Sequence, residues 1–224
     1  MTSATRLYLS NDTSARAAGA GVLADAWAER PEVQLIRISS RGAFFLEPMV
    51  ERDSPEGRIA WFNVQPDDLP FILSCNGGTP VRSIPFLAHQ TRVTFSNFGE
   101  TEPLALDEYQ ARGGLKGLEE AFRLTPDAII EELRQSQLRG RGGAAFPVWN
   151  KWKVAQQTRA SEKYVVANAD EGDAGTYCDR MILEGDPFRL LEGMLICARA
   201  IGASRGYVYC RQEYPAAAAT LRAA

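Results

Sequence analysis

The sequence predicts an α/β protein in two parts, and three features carry that prediction. Short apolar runs alternate with helical patterns over residues 1–74. A stretch rich in proline and glycine, without periodicity, fills residues 75–96. A second alternation of helix, glycine-rich loop and strand occupies residues 97–224. Helices layered on a sheet are the stable way to bury such a pattern.

The first part opens with an apolar strand at residues 6–9. A helix follows over residues 13–29, where Asn11, Asp12 or Thr13 can cap the unpaired amide donors and Pro31 ends the run. Residues 33–38 form a second strand, and residues 47–52 and 58–64 two more. Between these two, Asp53 to Gly57 is hairpin chemistry: Pro55 presets one dihedral and Gly57 supplies a positive one. A short helix at residues 66–73 closes the unit. The order β-α-β-β-β-α, with its last two strands in a hairpin, is a compact half-open sheet of the thioredoxin kind. Asn76, Gly77, Gly78 and Pro80 then mark residues 75–96 as an interdomain linker.

The second part begins with two short helices, at residues 106–111 and 115–122, around Gly113 and Gly114. Thr125, Pro126 and Asp127 are a helix start: a hydroxyl cap, a proline in the first turn and an acid near the positive end. Ile129, Ile130 and Leu133 give that helix an apolar stripe. Residues 164–167 are a short buried strand. Asp186 and Pro187 start another helix, whose core face is built from Leu190, Leu191, Met194, Leu195, Ala198 and Ile201 and whose C-terminal cap is Gly202. Residues 206–210 form the next strand. Pro215 begins a helix at the end of the chain, so this domain reads as unfinished.

The 224 residues are 45% hydrophobic and 24% charged, which is ordinary for a globular protein with a real core. A net charge of −3 provides no basic field, so nucleic acid is not an expected partner. The N-terminus lacks an apolar run of secretory length, and the most apolar later run is broken by Arg199, so neither export nor a membrane span is expected. Cys75, Cys178, Cys197 and Cys210 form no Cys-x-x-Cys pair. This disfavours a disulfide framework and an in-chain metal site, and fits a reducing cytoplasm. His89 is the only histidine and leaves a histidine-based triad without material.

Two stretches carry chemistry. In residues 139–144, Gly140, Gly142 and Gly143 remove side chains so that several backbone N–H groups can approach one anion. Arg139 and Arg141 add charge, and a helix beginning near Pro147 can offer its amino end. A phosphate is the natural guest, with a solvated loop as the bland alternative. The Gly140-x-Gly142-x-x-Ala145 spacing matches a dinucleotide fingerprint, but it follows a helix instead of a strand. Asn168, Asp170 and Glu171 fall just past the carboxyl end of the strand at 164–167, where open α/β sheets place ligand crevices. There they can bind sugar hydroxyls or orient a redox ring, or they form an acidic turn capping the next helix. Phe146 and Trp152 can stack on a flat ring or simply join the core, and Lys151 can pair with a phosphate or cover the surface. Cys178 has no base beside it and is not expected to be a nucleophile.

The run 138–152, residues 168–180, Leu183 to Pro187, Glu192 to Met194, and residues 206–214 together closely resemble the FMN- and NADH-binding flavoprotein subunit of respiratory complex I and its soluble relatives. The resemblance covers residues 97–224 and implies the N-terminal part of a Rossmann-like α/β FMN-binding domain. It implies that Gly140, Arg141, Gly142, Gly143 and Ala144 cradle the cofactor and that Phe146 packs against the adenine of NADH. Lys151 would lie beside the FMN, and Asn168, Asp170 and Glu171 would line the flavin and nicotinamide, Glu171 closest to the reacting rings. Departures touch the adenine clamp: Ala145 stands where the family has Gly, Val148 to Asn150 where it has Thr-Gly-Leu, and Val154 where an aromatic is frequent.

Residues 1–74 resemble the thioredoxin-like ferredoxin domain that carries a 2Fe-2S cluster in the partner subunit of that family. Here Ser40 and Phe44 occupy the places of its second cysteine pair, so this copy is expected to be clusterless, a scaffold or docking surface. A clusterless domain ahead of the flavoprotein resembles the beta subunits of soluble, molybdenum-dependent, NAD-reducing formate dehydrogenases, with hydrogenase diaphorase subunits as near competitors. The implied function is passage of electrons between iron-sulfur clusters, FMN and NAD, beside a ferredoxin-like 2Fe-2S subunit and a molybdenum-containing catalytic subunit. The family's later half, with its 4Fe-4S cysteines, has no counterpart before Ala224. The resemblance therefore implies a parent protein that continues, and the other reading of the chain is a non-catalytic docking module.

Overall fold

The computed structural model describes residues 4–224, which divide into two compact units. The first consists of residues up to Glu108 together with Arg180–Pro187 and Ala216–Ala224; the second consists of Tyr109–Asp179 and Phe188–Pro215.

The first unit holds β1 (Thr5–Ser10), α1 (Thr13–Ala17), α2 (Ala20–Trp27), β2 (Val33–Ile38), β3 (Val50–Ser54), β4 (Gly57–Trp61), α3 (Leu69–Leu73), β5 (Thr79–Pro80) and α4 (Pro85–Ala88). The strands form one sheet in the order β2-β1-β3-β4-β5, with β1 and β2 parallel and the remaining pairs antiparallel. The period of two along β1 sends Leu7 and Leu9 into a core with Leu23, Trp27, Val50, Trp61, Leu69 and Ile72. Each such side chain contributes roughly 1.5–3 kcal/mol by leaving water. Tyr8 points the other way, where its hydroxyl donates to Asp53 at 2.7 Å and the Arg58 guanidinium stacks over its ring at 3.6 Å.

Three expectations change in detail. The single helix expected over 13–29 is two, because Gly19 takes φ +112°, a left-handed value that interrupts the helical path. Asp12 is the cap, accepting from the amide of Ala15 at 2.9 Å. Residues 75–96, expected as linker, carry β5, which extends the sheet beside β4, and they bury Val81 and Ile84 with Met49 and Ala60. The first unit consequently runs to Glu108, well past position 74. Ser40 is buried, and its hydroxyl accepts from the amide of Gly42 at 3.1 Å. Beside it Arg41 clamps Glu51 with two hydrogen bonds, of 2.6 and 2.8 Å, and reaches Glu100 at 2.8 Å.

After α5 (Leu106–Ala111), the second unit holds α6 (Lys116–Arg123), α7 (Pro126–Ser136), α8 (Val148–Gln157) and β6 (Tyr164–Ala169). Then come α9 (Cys178–Gly185), α10 (Pro187–Ile201), β7 (Arg205–Cys210) and α11 (Pro215–Ala223), of which α9 runs largely and α11 almost wholly in the first unit. Strands β6 and β7 pair in parallel, joined by a connection that contains α9 and α10, and Ala121, Ile129, Ile130, Val165, Ala200 and Ile201 make the core beneath them. Thr125 caps α7 through a 3.2 Å bond from the amide of Ala128. No described helix is long and apolar enough to cross a membrane.

Candidate cofactor-binding site

The glycine loop is a closed bulge whose two ends are tied together. Arg139 and Pro147 form an isolated antiparallel bridge, with the amide of Gly140 donating to the Phe146 carbonyl at 2.9 Å and that of Val148 to the Leu138 carbonyl at 3.0 Å. Arg139 also donates to the carbonyl of Ala145 at 3.1 Å, which folds its guanidinium across the base of the loop. Among the described residues, the amides from Arg141 to Ala145 donate to no protein group. Five successive N–H groups on an exposed loop are thus open to an anion. Gly143 sits at φ +98° and Ala145 at φ +50°. A Cβ placed on Gly142 or Gly143 would meet nothing within 4 Å, so the concave backbone has open space before it. This donor set, with Arg139 and Arg141 nearby, fits a phosphate monoester.

The loop feeds directly into α8, and Lys163 ties the end of that helix to the start of β6. Its ammonium donates to the carbonyl of Gln156 at 2.7 Å and to that of Ile201 at 3.1 Å, capping the last turns of α8 and α10 just before β6 begins. Arg134, Gln137, Arg139, Pro147 and Trp149 line a recess of about 440 Å³ beside the loop; Asn168, Asp170 and Glu171 do not line it. Phe146 and Lys151 are exposed, while Trp152 packs into the core with Trp149.

The strand extends two residues beyond the expected 164–167, so Asn168 lies within β6, not past it, on the same exposed face as Tyr164 and Val166. The cause is register: β7 continues to Cys210, and Asn168 and Ala169 pair with Tyr209 and Cys210. The Asn168 side chain accepts from the amide of Asp170 at 2.9 Å and so turns the chain out of the strand. Glu171 then adopts φ +45°, unusual for a residue with a side chain. Its carboxylate accepts from the amide of Asp179 at 2.8 Å and from the hydroxyl of Tyr214 at 3.0 Å, while Arg211 donates to its carbonyl at 2.7 Å. Glu171 is a held carboxylate at the mouth of the strand. Burial, followed by the charge of Glu171, raises the Asp179 pKa. Burial also raises the Cys178 thiol, with Asp179 and Glu171 adding to it, so Cys178 is a protonated thiol near neutrality.

Arg211 and Tyr214, the residues that fix Glu171, were not singled out from the sequence. They lie 40 and 43 positions away, and only the parallel pairing of β6 with β7 sets the end of one beside the end of the other. A correct strand pairing would have been the signal.

Comparison with known proteins bears on the same segment. Residues 133–224 match the family described as the Nuo51 FMN-binding domain. The matched span of the flavoprotein family contains the glycine loop, α8, β6 with the acids, and the residues that hold Glu171. The NADP-reducing hydrogenase subunit HndC of Solidesulfovibrio fructosivorans is 45% identical over 135 residues, 60% of this chain and 27% of that protein. An NADH-quinone oxidoreductase subunit of Aquifex aeolicus is 48% identical over 118 residues, 53% of this chain and 28% of that protein. The chain thus spans little more than a quarter of these relatives. A crystal structure of NAD+-reducing NiFe hydrogenase in the air-oxidized state aligns with the whole chain and 40% of its own, at 23% identity and a TM-score of 0.48.

Proposed function

We propose that this chain is part of a diaphorase-type oxidoreductase subunit that holds FMN and NAD(H). The observation that carries the reading is the row of unpaired amides from Arg141 to Ala145, inside the segment matched by the FMN-binding family. In this reading Gly140, Arg141, Gly142, Gly143 and Ala144 hold the FMN phosphate, and Arg141 screens its charge. Lys151 lies beside the flavin, Phe146 packs on adenine, and Asn168 and Asp170 receive ribityl hydroxyls. Glu171, fixed by Tyr214 and the Asp179 amide, positions the nicotinamide. Bound FMN supplies the interconversion of hydride and single-electron transfer; the chain supplies position and charge.

The finer reading is the beta subunit of a cytoplasmic, molybdenum-dependent, NAD-reducing formate dehydrogenase, working with a ferredoxin-like 2Fe-2S subunit and a molybdenum-containing subunit. A clusterless thioredoxin-like domain over residues 1–74 and an FMN domain from residue 97 belong to it, with residues 75–96 between them adding β5 and buried Val81 and Ile84 to the first unit. The buried Ser40 in place of a thiolate supports the clusterless part. A second reading, with hydrogen as electron source, is favoured by the 45% identity to a hydrogenase subunit. The test is FMN titration followed by quenching of flavin fluorescence, together with NADH-driven ferricyanide reduction, on this chain and on the complex purified from its source. Saturable quenching and dye reduction in the complex support the diaphorase. Absence of flavin from the purified complex removes it, and formate or hydrogen as the substrate that reduces the flavin separates the two finer readings.

A further inference from the structure

We infer that the first unit contains a second small-molecule site, separate from the glycine loop, which takes a small organic anion with a carboxylate or phosphate head on an apolar body. The site is a recess of about 420 Å³ bordered by Arg16, Arg37, Leu104 and Ala216, with Glu102 and Glu184 on its rim. Pockets of this size hold small ligands.

Its charge arrangement is unusual. Arg37, near the end of β2, donates through one terminal nitrogen to the carbonyl of Ser10 at 3.2 Å and to the side-chain oxygen of Asn11 at 2.8 Å. Both acceptors are uncharged. Its Nε is buried and has no acceptor at all. Among the described residues neither Arg37 nor Arg16 makes an ion pair within 4 Å, and the Arg16 side chain has no hydrogen bond. A guanidinium desolvated without a carboxylate is costly, and a second guanidinium beside it makes this worse. Burial, then the charge of Arg16, lowers the Arg37 pKa, with Asp25 the opposing charge. The acids on the rim do not cancel this pair. Glu184 uses both its oxygens on Thr13, accepting from its amide and its hydroxyl at 2.7 Å each, and Glu102 is exposed.

The chemistry of the lining selects the ligand. An arginine fork matches carboxylate and phosphate, and the bonds to Ser10 and Asn11 hold the Arg37 guanidinium in one orientation before a ligand arrives. Leu104, Ala216 and Ala219 supply apolar lining to the same recess. A bare inorganic ion would leave that lining dry and uncovered, so a ligand with a short apolar body is preferred over one without.

Isothermal titration of the full chain at low salt with butyrate, propyl phosphate and inorganic phosphate tests this. The expected result is saturable binding at one equivalent for butyrate or propyl phosphate, at least tenfold tighter than for inorganic phosphate. Whichever head group binds better identifies the ligand class. Arg16→Glu, at an exposed side chain without partners, should leave the fold intact by circular dichroism and weaken binding at least tenfold, whereas Arg16→Lys should retain most of it. Heat changes without saturation for both organic anions, or undiminished binding in Arg16→Glu, overturn the site. FMN titration runs separately, since the glycine loop lies in the other unit and should be unaffected by Arg16→Glu.

Discussion

Glu171 combines a costly left-handed backbone with a carboxylate engaged by hydrogen bonds at both oxygens. A residue held this firmly can place a substrate ring with little reorganisation when that ring arrives. In the flavin-loaded complex, Glu171→Gln removes the charge and sets a donating NH2 group against one of the two donors that the carboxylate accepted from. NADH kcat/KM is expected to fall about tenfold, which is roughly 1.4 kcal/mol, with flavin content unchanged. Kinetics identical to the parent would end the positioning role. Residues 168, 170 and 171 stood out because they follow a short apolar strand, and of the two uses open to them the capping turn is visible: Glu171 accepts from the Asp179 amide in the first turn of α9. Tyr214 and Arg211 did not stand out, since nothing in their neighbourhood signals a contact 40 residues away.

The glycine loop and α7 illustrate how far element-level reading goes. Thr125 followed by proline and aspartate specified a helix start, and the side chain does cap α7. Thr125→Ala should cost about 1 kcal/mol, seen as a lower urea midpoint with the second unit's helices still formed. An unchanged midpoint would show that the packing of α7 makes the cap dispensable. The glycine-rich composition marked the loop, but its closure by the Arg139 to Pro147 bridge was not legible, because a single bridge leaves no periodic trace. Gly143→Ala adds a methyl into open space, so its effect is purely conformational: φ +98° costs a non-glycine residue about 1 kcal/mol. FMN should bind several-fold more weakly as the loop relaxes. Equal FMN affinity in Gly143→Ala would mean that the row of amides does not depend on this geometry. Elsewhere the expected helix over 13–29 divided at Gly19, and residues 75–96 joined the sheet. At Gly19 a left-handed backbone outweighed the helical pattern, and within 75–96 the pairing of Thr79 and Pro80 with β4 outweighed the aperiodic composition.

At the scale of the molecule, the buried acid Glu47 ties stability to pH. Burial raises its pKa to about 7, with Asp12 and Glu51 adding repulsion, against hydrogen bonds from the amide of Met49 and the hydroxyl of Ser10. A folded pKa above the unfolded value of 4.5 means that folding favours the protonated acid. Its stabilising share is complete below pH 4.5 and is lost as pH rises through about 7, on the order of 3 kcal/mol in all. Urea unfolding at pH 5 and pH 8 should therefore show the parent losing stability with rising pH, and Glu47→Gln losing distinctly less. Parallel pH slopes in the two proteins would contradict this. The same scale separates what could be read from residues in order and what could not. Strand and helix types, the glycine-rich loop and the acids beyond β6 follow from period, composition and short spacing, all of which act between near neighbours. The sheet order β2-β1-β3-β4-β5, the pairing that brings Tyr214 to Glu171, and the meeting of Arg16 and Arg37 around one recess depend on contacts between distant segments. Chain packing alone settles those, because hydrophobic burial is non-directional and leaves the choice among distant partners to shape and register.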